Sequence, residues 1–391
     1  MLRRMGRASF VLALTATALA PTLAQAPLLA ASDTNREVSA RVVANMPSPP
    51  PAGYRAASMD WATPQRAWVL GTAACAKKSC SYVLETVDGA KTWKTLAVVR
   101  PPIASIGDSS KPGVSEIRFN TKRVGWMFAP WLYRTADGGR SWSRQTIPGH
   151  GKQVLALAAA QAATYVVVSP CAWMTGYCNS KPLSLWRSST KTPRRWVEVP
   201  VALPMSVSAD VSVFATTVYV VDTQFGQPDK FHASLDGVHF SPRSVPCDKS
   251  SDVQLSQVVA TSRRGVDLLC DGNPGFSKAE KFVFRSSNAG KTYSYAGTMG
   301  PYGIEAQLAV SPSGNLLVAS WSDGSFMYVN TGGKKWQMTV GVSDGGAGWN
   351  DVQYVTKNKA WVVYSPASLF NGVGKILVTT DAGRHWHLKT F

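Results

Sequence analysis

The chain is short of acidic residues. Of its 391 residues, 23 are Asp or Glu against 41 Lys or Arg, which leaves a formal net charge of +18. Such an excess favours acidic partners or anionic surfaces and carries no information about fold. Charge of either sign is sparse, at 16% of residues, yet 14 Trp and a hydrophobic content of 45% are present. Disordered chains lack that apolar and aromatic surface, so disorder is excluded. Long stretches of 3.6-residue apolar period are missing too, which argues against a helical solenoid. The five His are scattered and no second Cys/His pair stands at metal spacing, so neither a metal centre nor a cofactor is expected. No phosphate-cradling loop and no Ser-His-Asp arrangement stands out. A DNA- or RNA-binding motif is likewise lacking, so nucleic acid is not an expected partner.

What is present begins at the N-terminus. "MLRRMGR" is a positive segment, and the apolar "ASFVLALTATALA" with small residues behind it reads as a secretory signal peptide. Residues 1–31 are assigned to it, with cleavage between Ala24 and Ala31. The apolar run is short for a spanning helix and Pro21 interrupts it. No Cys precedes Cys75, which argues against a lipid-anchored lipoprotein. The expected location is secreted or periplasmic, with peripheral contact to the envelope. Residues 32–53, containing "MPSPPP", read as a linker. In an exported chain six Cys read as disulfides. Sequence leaves about 15 connectivities; local spacing favours Cys75–Cys80 and Cys171–Cys178, leaving Cys247–Cys270.

From residue 54 to 391 a repeat runs through the chain. Gly-containing turns are followed by an aromatic at Trp93, Trp142, Trp196, Phe240, Tyr293, Trp336 and Trp386, and only the turn before Trp196 lacks its Gly. The spacing is about 48 residues, and each unit divides into four short strands, here A to D from the centre outward. The second unit is clearest, with "SEIRFN", "VGWMFA", "WLYRTA" and "SWSRQTI". Units of this kind predict an all-β chain, a seven-bladed β-propeller of four-stranded antiparallel blades. A monomer is expected.

The phrases "TVDGAKTW", "TADGGRSW", "SSNAGKTY" and "TTDAGRHW" resemble Asp-box (BNR) repeats. These occur in sialidases, in the sortilin receptor propeller and in the photosystem II assembly/stability factor family. Three units depart from the pattern: the one ending at Trp196 lacks Asp and Gly, "SLDGVHF" is shortened, and "NTGGKKW" lacks the Asp. Compact units with Gly-Trp or Ala-Trp in strand B look most like the photosystem factor family of exported propellers. That resemblance implies a protein or an assembling complex as partner.

The box itself has a structural explanation. Gly permits the tight C–D turn, and a short side chain at Asp88, Asp137, Asp236, Asn288 or Asp381 can accept backbone N–H groups there. The aromatic behind it is expected to bury a ring between blades. Seven copies of a turn do not make one catalytic site, so these residues are read as structural.

Topology then separates two faces. C–D turns lie on one, called the bottom, whereas B–C loops and D–A connections lie on the top. All three expected disulfides map to the top, where long stapled loops favour binding. The starts of the seven A strands align Asp60, Glu116, Gln153, Asp210, Gln254, Glu305 and Asp351 as a polar ring at the top mouth of the channel. Such a ring suits a cation, a basic peptide segment or sugar hydroxyls. Basic residues crowd the boxes and outer strands, among them Lys91, Arg140, Arg195, Lys291 and Arg384, suiting acidic polymers or anionic lipids. An enzyme is not expected. A sialidase would need the Phe-Arg-Ile-Pro segment and an Arg cluster, and Arg118 is the only Arg at a channel position. The expected function is a non-enzymatic propeller that binds a protein partner through its top face. The alternatives are an envelope polysaccharide or polyanion as ligand, or a sialidase-like glycoside hydrolase with a carboxylate pair such as Asp60–Glu116 or Glu305–Asp351.

Overall fold

The computed structural model describes residues 48–391 except 77, 105–111, 173–180, 193–194, 207, 224–228, 248–252, 273–274, 276–277, 334, 344–347 and 365–373. The expected leader, most of the linker and Cys178 lie outside the described residues. Short runs rich in β-branched and aromatic residues pair antiparallel into seven four-stranded sheets, from β1 (Arg55–Trp61) to β28 (His387–Lys389), each sheet ordered as the chain runs. The innermost strands are β1, β5 (Glu116–Phe119), β9 (Gln153–Ala159), β13 (Ser208–Phe214), β17 (Gln254–Ala260), β21 (Glu305–Val310) and β25 (Trp349–Tyr354). They contact one another in turn and β25 returns to β1, so the sheets are the blades of a seven-bladed β-propeller.

Second strands read as continuous apolar runs because both their faces are covered by neighbouring blades. In β10 (Ala163–Ser169, "ATYVVVS") every residue is buried. The hydrophobic core is accordingly divided into seven clusters, each shared by two adjacent blades. One joins Trp68 and Leu70 of the first blade to Phe119 and Trp142 of the second; another joins Trp61 and Trp93 to Trp361 and Ile376 of the seventh. Strand-B tryptophans are the deepest rings: Trp68 is fully buried, stacks on Phe119 at 3.7 Å and donates its indole N–H to the Gly138 carbonyl of the next blade's box.

Every blade is one continuous stretch of chain, so no shared strand closes the ring. Closure falls to contacts at the seam. The Ala56 N–H donates to the Gly374 carbonyl at 2.8 Å and the reverse bond is 2.5 Å. Trp61 stacks on Trp361 with ring centroids 4.8 Å apart, while the Lys359 ammonium lies 5.7 and 5.0 Å from the two rings.

The box turns form as their residues dictate. Thr86 donates its hydroxyl to Asp88, and Asp88 accepts the N–H of Thr92 at 3.0 Å and its hydroxyl at 2.6 Å. Asp137, Asn288 and Asp381 repeat this geometry, and Asp236 makes the shortened version. Two successive residues adopt positive φ, as at Gly138 (81°) and Gly139 (96°), and a Cβ on Gly138 would stand 2.9 Å from the Lys122 carbonyl oxygen. In five blades the C–D turn also leans on the A–B turn of its own blade, as where Gly89 N–H donates to the Gln65 carbonyl at 2.9 Å. A–B and C–D turns therefore share one face. The box aromatics differ from expectation in depth. Only Trp93 and Trp142 are buried, while Trp196, Phe240, Tyr293, Trp336 and Trp386 are half-buried, because strand D is the outer edge of its blade.

Candidate channel site

An innermost strand leaves one edge without a pairing strand, and its N–H and C=O groups need other partners. Polar side chains of the preceding blade supply them. Asp60 accepts the Phe119 N–H at 2.8 Å, and Asp210 accepts that of Val258 at 3.0 Å. Asp351 accepts the Met59 N–H at 3.1 Å, and Gln353 both accepts from Trp61 N–H and donates to its carbonyl, at 3.0 and 3.2 Å. Ser212 and Gln257 accept the N–H groups of Ala260 and Leu308. These staples run from blade to blade around the channel wall.

On one side of the ring the wall becomes a charged cluster. The Arg118 guanidinium donates to Asp351 at 2.9 Å, to Glu116 at 3.1 Å and to Ser58 at 3.1 Å. The Ser58 hydroxyl donates to Asp351 at 2.7 Å. Arg118 belongs to the second blade, Ser58 to the first and Asp351 to the seventh, so the cluster spans the closing seam. Together with Asp60 and Asp210 it lines a cavity of about 470 Å³. Among the described residues, four carboxylates and one guanidinium face that cavity.

Burial sets their protonation. It pushes Asp60 up to about 6, against the opposing pull of Arg118 and the Phe119 N–H. It pushes Glu116 up to about 7, with Arg118 again opposing and Asp351 adding to the rise, and Asp210 up to about 6. For Arg118 burial acts to lower the pKa, but Asp351, Glu116 and Asp60 outweigh it and hold the guanidinium firmly charged. The 33% side-chain exposure of Glu116 and the 26% of Arg118 are to the channel lumen they line.

The expected ring is not a single ring. Asp60, Glu116, Asp210 and Asp351 line the cavity, whereas Gln153 and Glu305 do not. Gln153 turns to the Ala172 carbonyl at 3.3 Å, and Glu305 is exposed at the top start of β21. Gln254 opens β17 at the same top level as those two. Nor does the cluster sit at the top mouth: Asp60 is the next-to-last residue of β1, beside the A–B turn on the box face. Bulges explain part of the misalignment. Register shifts at Ala56/Ser58, Leu255/Gln257 and Trp349/Asp351 add a residue to the upper half of those strands and change which side chains point inward. Reading by register instead matches Ser58, Glu116, Ala156, Asp210, Gln257, Gln307 and Asp351, with a second level two residues on. Of the residues missed, Ser58, Ser212, Gln307 and Gln353 were readable as polar pairs at i and i+2 in "SMD", "DVS", "EAQ" and "DVQ", whereas Gln257 has Leu255 and Val259 at those places and carries no such signal.

At the other end, Cys75–Cys80 and Cys247–Cys270 are both bridged, with Cα atoms 5.7 Å apart in each. The first closes the B–C hairpin of the first blade, and the second ties the end of β18 (Val266–Asp271) to the connection entering its blade. Both lie opposite the boxes. Of the expected Cys171–Cys178 pair, Cys178 lies outside the described residues. No group of three or more His, Cys, Asp or Glu that could hold a metal ion occurs among the described residues.

No family model and no curated protein matches the chain. Solved structures do. The chain is similar to a prolyl endopeptidase, one of two analysed for inter-domain dynamics in catalysis and specificity, at 13% identity and a TM-score of 0.52. That match covers 86% of this chain and 50% of the endopeptidase, so the chain spans half of that enzyme's length. It is similar to the β-propeller domain of the Trilobed protease from Pyrococcus furiosus, at 11% identity and a TM-score of 0.49, over 88% of this chain and 97% of that domain. A third likeness is to a 6-phosphogluconolactonase-like protein from Bacteroides uniformis, at 11% identity and a TM-score of 0.47, over 73% and 85% of the two chains. At such identities the first likeness shows the propeller fold and nothing of activity.

Proposed function

We propose that the chain is an exported, non-enzymatic binding propeller whose channel takes a positively charged segment of a protein partner presented at the disulfide-stapled face. One observation carries this reading: four carboxylates against one guanidinium line a cavity of about 470 Å³ in a protein whose formal net charge is +18. Asp60 Oδ2 and Glu116 Oε2 are used by the Phe119 N–H and by Arg118, which leaves Oδ1 and Oε1 to accept from an incoming ammonium or guanidinium. The two disulfides fit an oxidising compartment outside the cytoplasm, in line with the leader-like N-terminus. The resemblance of the box phrases to the photosystem II assembly/stability factor family supports a protein or an assembling complex as partner. Asp351, Asp60 and Asp210 hold backbone N–H groups in place, which favours a binding role over an acid–base one.

The test uses an oligolysine peptide as probe, with binding followed by calorimetry. Glu116→Gln with Asp60→Asn is expected to weaken binding at least tenfold while leaving the unfolding transition cooperative. Unchanged affinity in that variant removes the channel as the site. A second reading, a glycoside hydrolase, draws on Glu116, which at about 7 is suited to deliver a proton near neutral pH. Turnover of a chromogenic glycoside, lost in Glu116→Gln, would establish it in place of the first.

A further inference from the structure

We infer that the box face is a docking surface for an anionic lipid bilayer. The inference stands independently of the channel reading. A–B and C–D turns are bonded to one another by backbone groups in five blades and by the Thr216 hydroxyl on the Leu235 carbonyl in the fourth, so they present their tips on one face. Two kinds of side chain meet there. The residue three places after the box Asp or Asn is basic and exposed in four blades: Lys91, Arg140, Lys291 and Arg384. The A–B turns add exposed Lys122 and Arg123 in the second blade, Arg263 and Arg264 in the fifth, and Lys357 in the seventh. Against them stand mainly the box carboxylates, and these are already engaged by the N–H and O–H groups of their own turns.

The second kind is apolar. Phe214, Leu235 and Val238, at the turn tips of the fourth blade, are 43%, 46% and 39% exposed. They are not remote from the charge: Thr217, paired with Phe214 across its two-residue turn, donates its hydroxyl to the Arg263 carbonyl of the next blade at 2.9 Å. Large apolar side chains at turn tips, beside arginines and on the face that carries the basic boxes, fit the interface of an anionic membrane, where apolar groups enter the headgroup boundary and cations hold the surface. A soluble polyanion uses the charges but has nothing to offer the exposed Phe214 and Leu235, so the lipid surface is the occupant the chemistry favours. Docked this way, the protein presents its disulfide-stapled face away from the membrane.

The experiment is flotation of the protein, in the form its host releases, with vesicles of phosphatidylglycerol in phosphatidylcholine, with phosphatidylcholine vesicles alone, and in the presence of soluble polyphosphate. The inference expects binding only to the anionic vesicles, weakened more than tenfold by Arg263→Glu with Arg264→Glu and several-fold by Phe214→Ser with Leu235→Ser. Neither pair makes a side-chain hydrogen bond among the described residues, and an unchanged unfolding midpoint confirms that the fold is intact. No binding to anionic vesicles, or binding indifferent to both variants, overturns the inference. Binding that polyphosphate abolishes and that Phe214→Ser with Leu235→Ser leaves untouched also overturns it, in favour of a polyanionic polymer.

Discussion

In the box turns a short carboxylate sits at the surface and is held ionised; in the channel the same group sits away from bulk water and is pushed toward its neutral form. Asp88 is kept well below the usual carboxylate range by the hydroxyl and N–H of Thr92, and Asp236 by the ring and N–H of His239. Asp60 and Glu116 rise to about 6 and about 7, because burial costs them more than Arg118 and one N–H return. Number and quality of donors, set against lost solvation, decide the direction. The same residue type is therefore a stabilising anion at one end of the blade and a strained one in its wall, kept there because the channel edge needs an acceptor and Arg118 needs a counter-charge.

The largest effect is expected from removing that counter-charge's partner. Arg118→Met would leave Asp351 and Glu116 facing each other in the channel wall and would take one donor from Ser58, loosening three blades at the seam. Breaking a buried pair by deleting one partner costs about 3–5 kcal/mol, and the lumen exposure here points to the lower end, about 3 kcal/mol. Urea denaturation measures it. A loss under about 1 kcal/mol would mean that the cluster is solvated like a surface pair and that the contrast drawn above is wrong.

Next in size is the dependence of stability on pH. Between the ordinary carboxylate range near about 4 and the folded values of about 6 for Asp60 and about 7 for Glu116, the folded state holds more protons than the unfolded chain. Stability from the channel is therefore greatest on the acid side of that window and falls as pH rises through it. The boxes act oppositely: their depressed carboxyls contribute above the ordinary range, and that contribution is lost as pH falls below it. Thermal unfolding across these pH values should give a maximum near the bottom of the channel's window. Glu116→Gln should flatten the decline toward alkaline pH and leave the acid limb as it was. An unchanged alkaline limb would show that burial in the channel does not reach this group.

How much of this was legible in the sequence follows from period and register. The box aromatic recurs in all seven units and the strand-B tryptophan at a fixed place in three, Trp68, Trp126 and Trp361, so blade number, strand order and the two faces could be read from the sequence. Channel depth could not. Strand alternation has a period of two, and a bulge at Trp349/Asp351 or Leu255/Gln257 shifts what faces inward without altering composition. Glu305 was aligned where Gln307 belongs for a different reason: β21 pairs without a register shift, and residues two apart share a face, so alternation does not tell them apart. Partnerships across the seam, such as Arg118 with Asp351, join residues far apart in the chain and carry no local signature. Exposed Phe214 was equally unreadable, since an apolar residue at the end of an alternating strand looks like core until the turn places it outside.

The smallest effect separates the two regions by sign. Asn already stands in one box: Asn288 accepts the Thr292 N–H at 2.9 Å and donates to its hydroxyl at 2.8 Å, reproducing the turn without a charge. Asp137→Asn should therefore keep the turn, losing only the charge-assisted part of its bonds to Ser141 and Arg140, about 1 kcal/mol. Asp60→Asn also keeps its acceptor for the Phe119 N–H, but here the charge removed is one the folded state disfavours. At pH 8 that substitution should raise the unfolding midpoint where Asp137→Asn lowers it. At pH 4, where the Asp60 carboxyl is protonated in the folded state, the gain from Asp60→Asn should vanish. If both variants shift the midpoint in the same direction at pH 8, donor supply and burial are not what divides the two regions, and the raised pKa of the channel carboxyls loses its explanation.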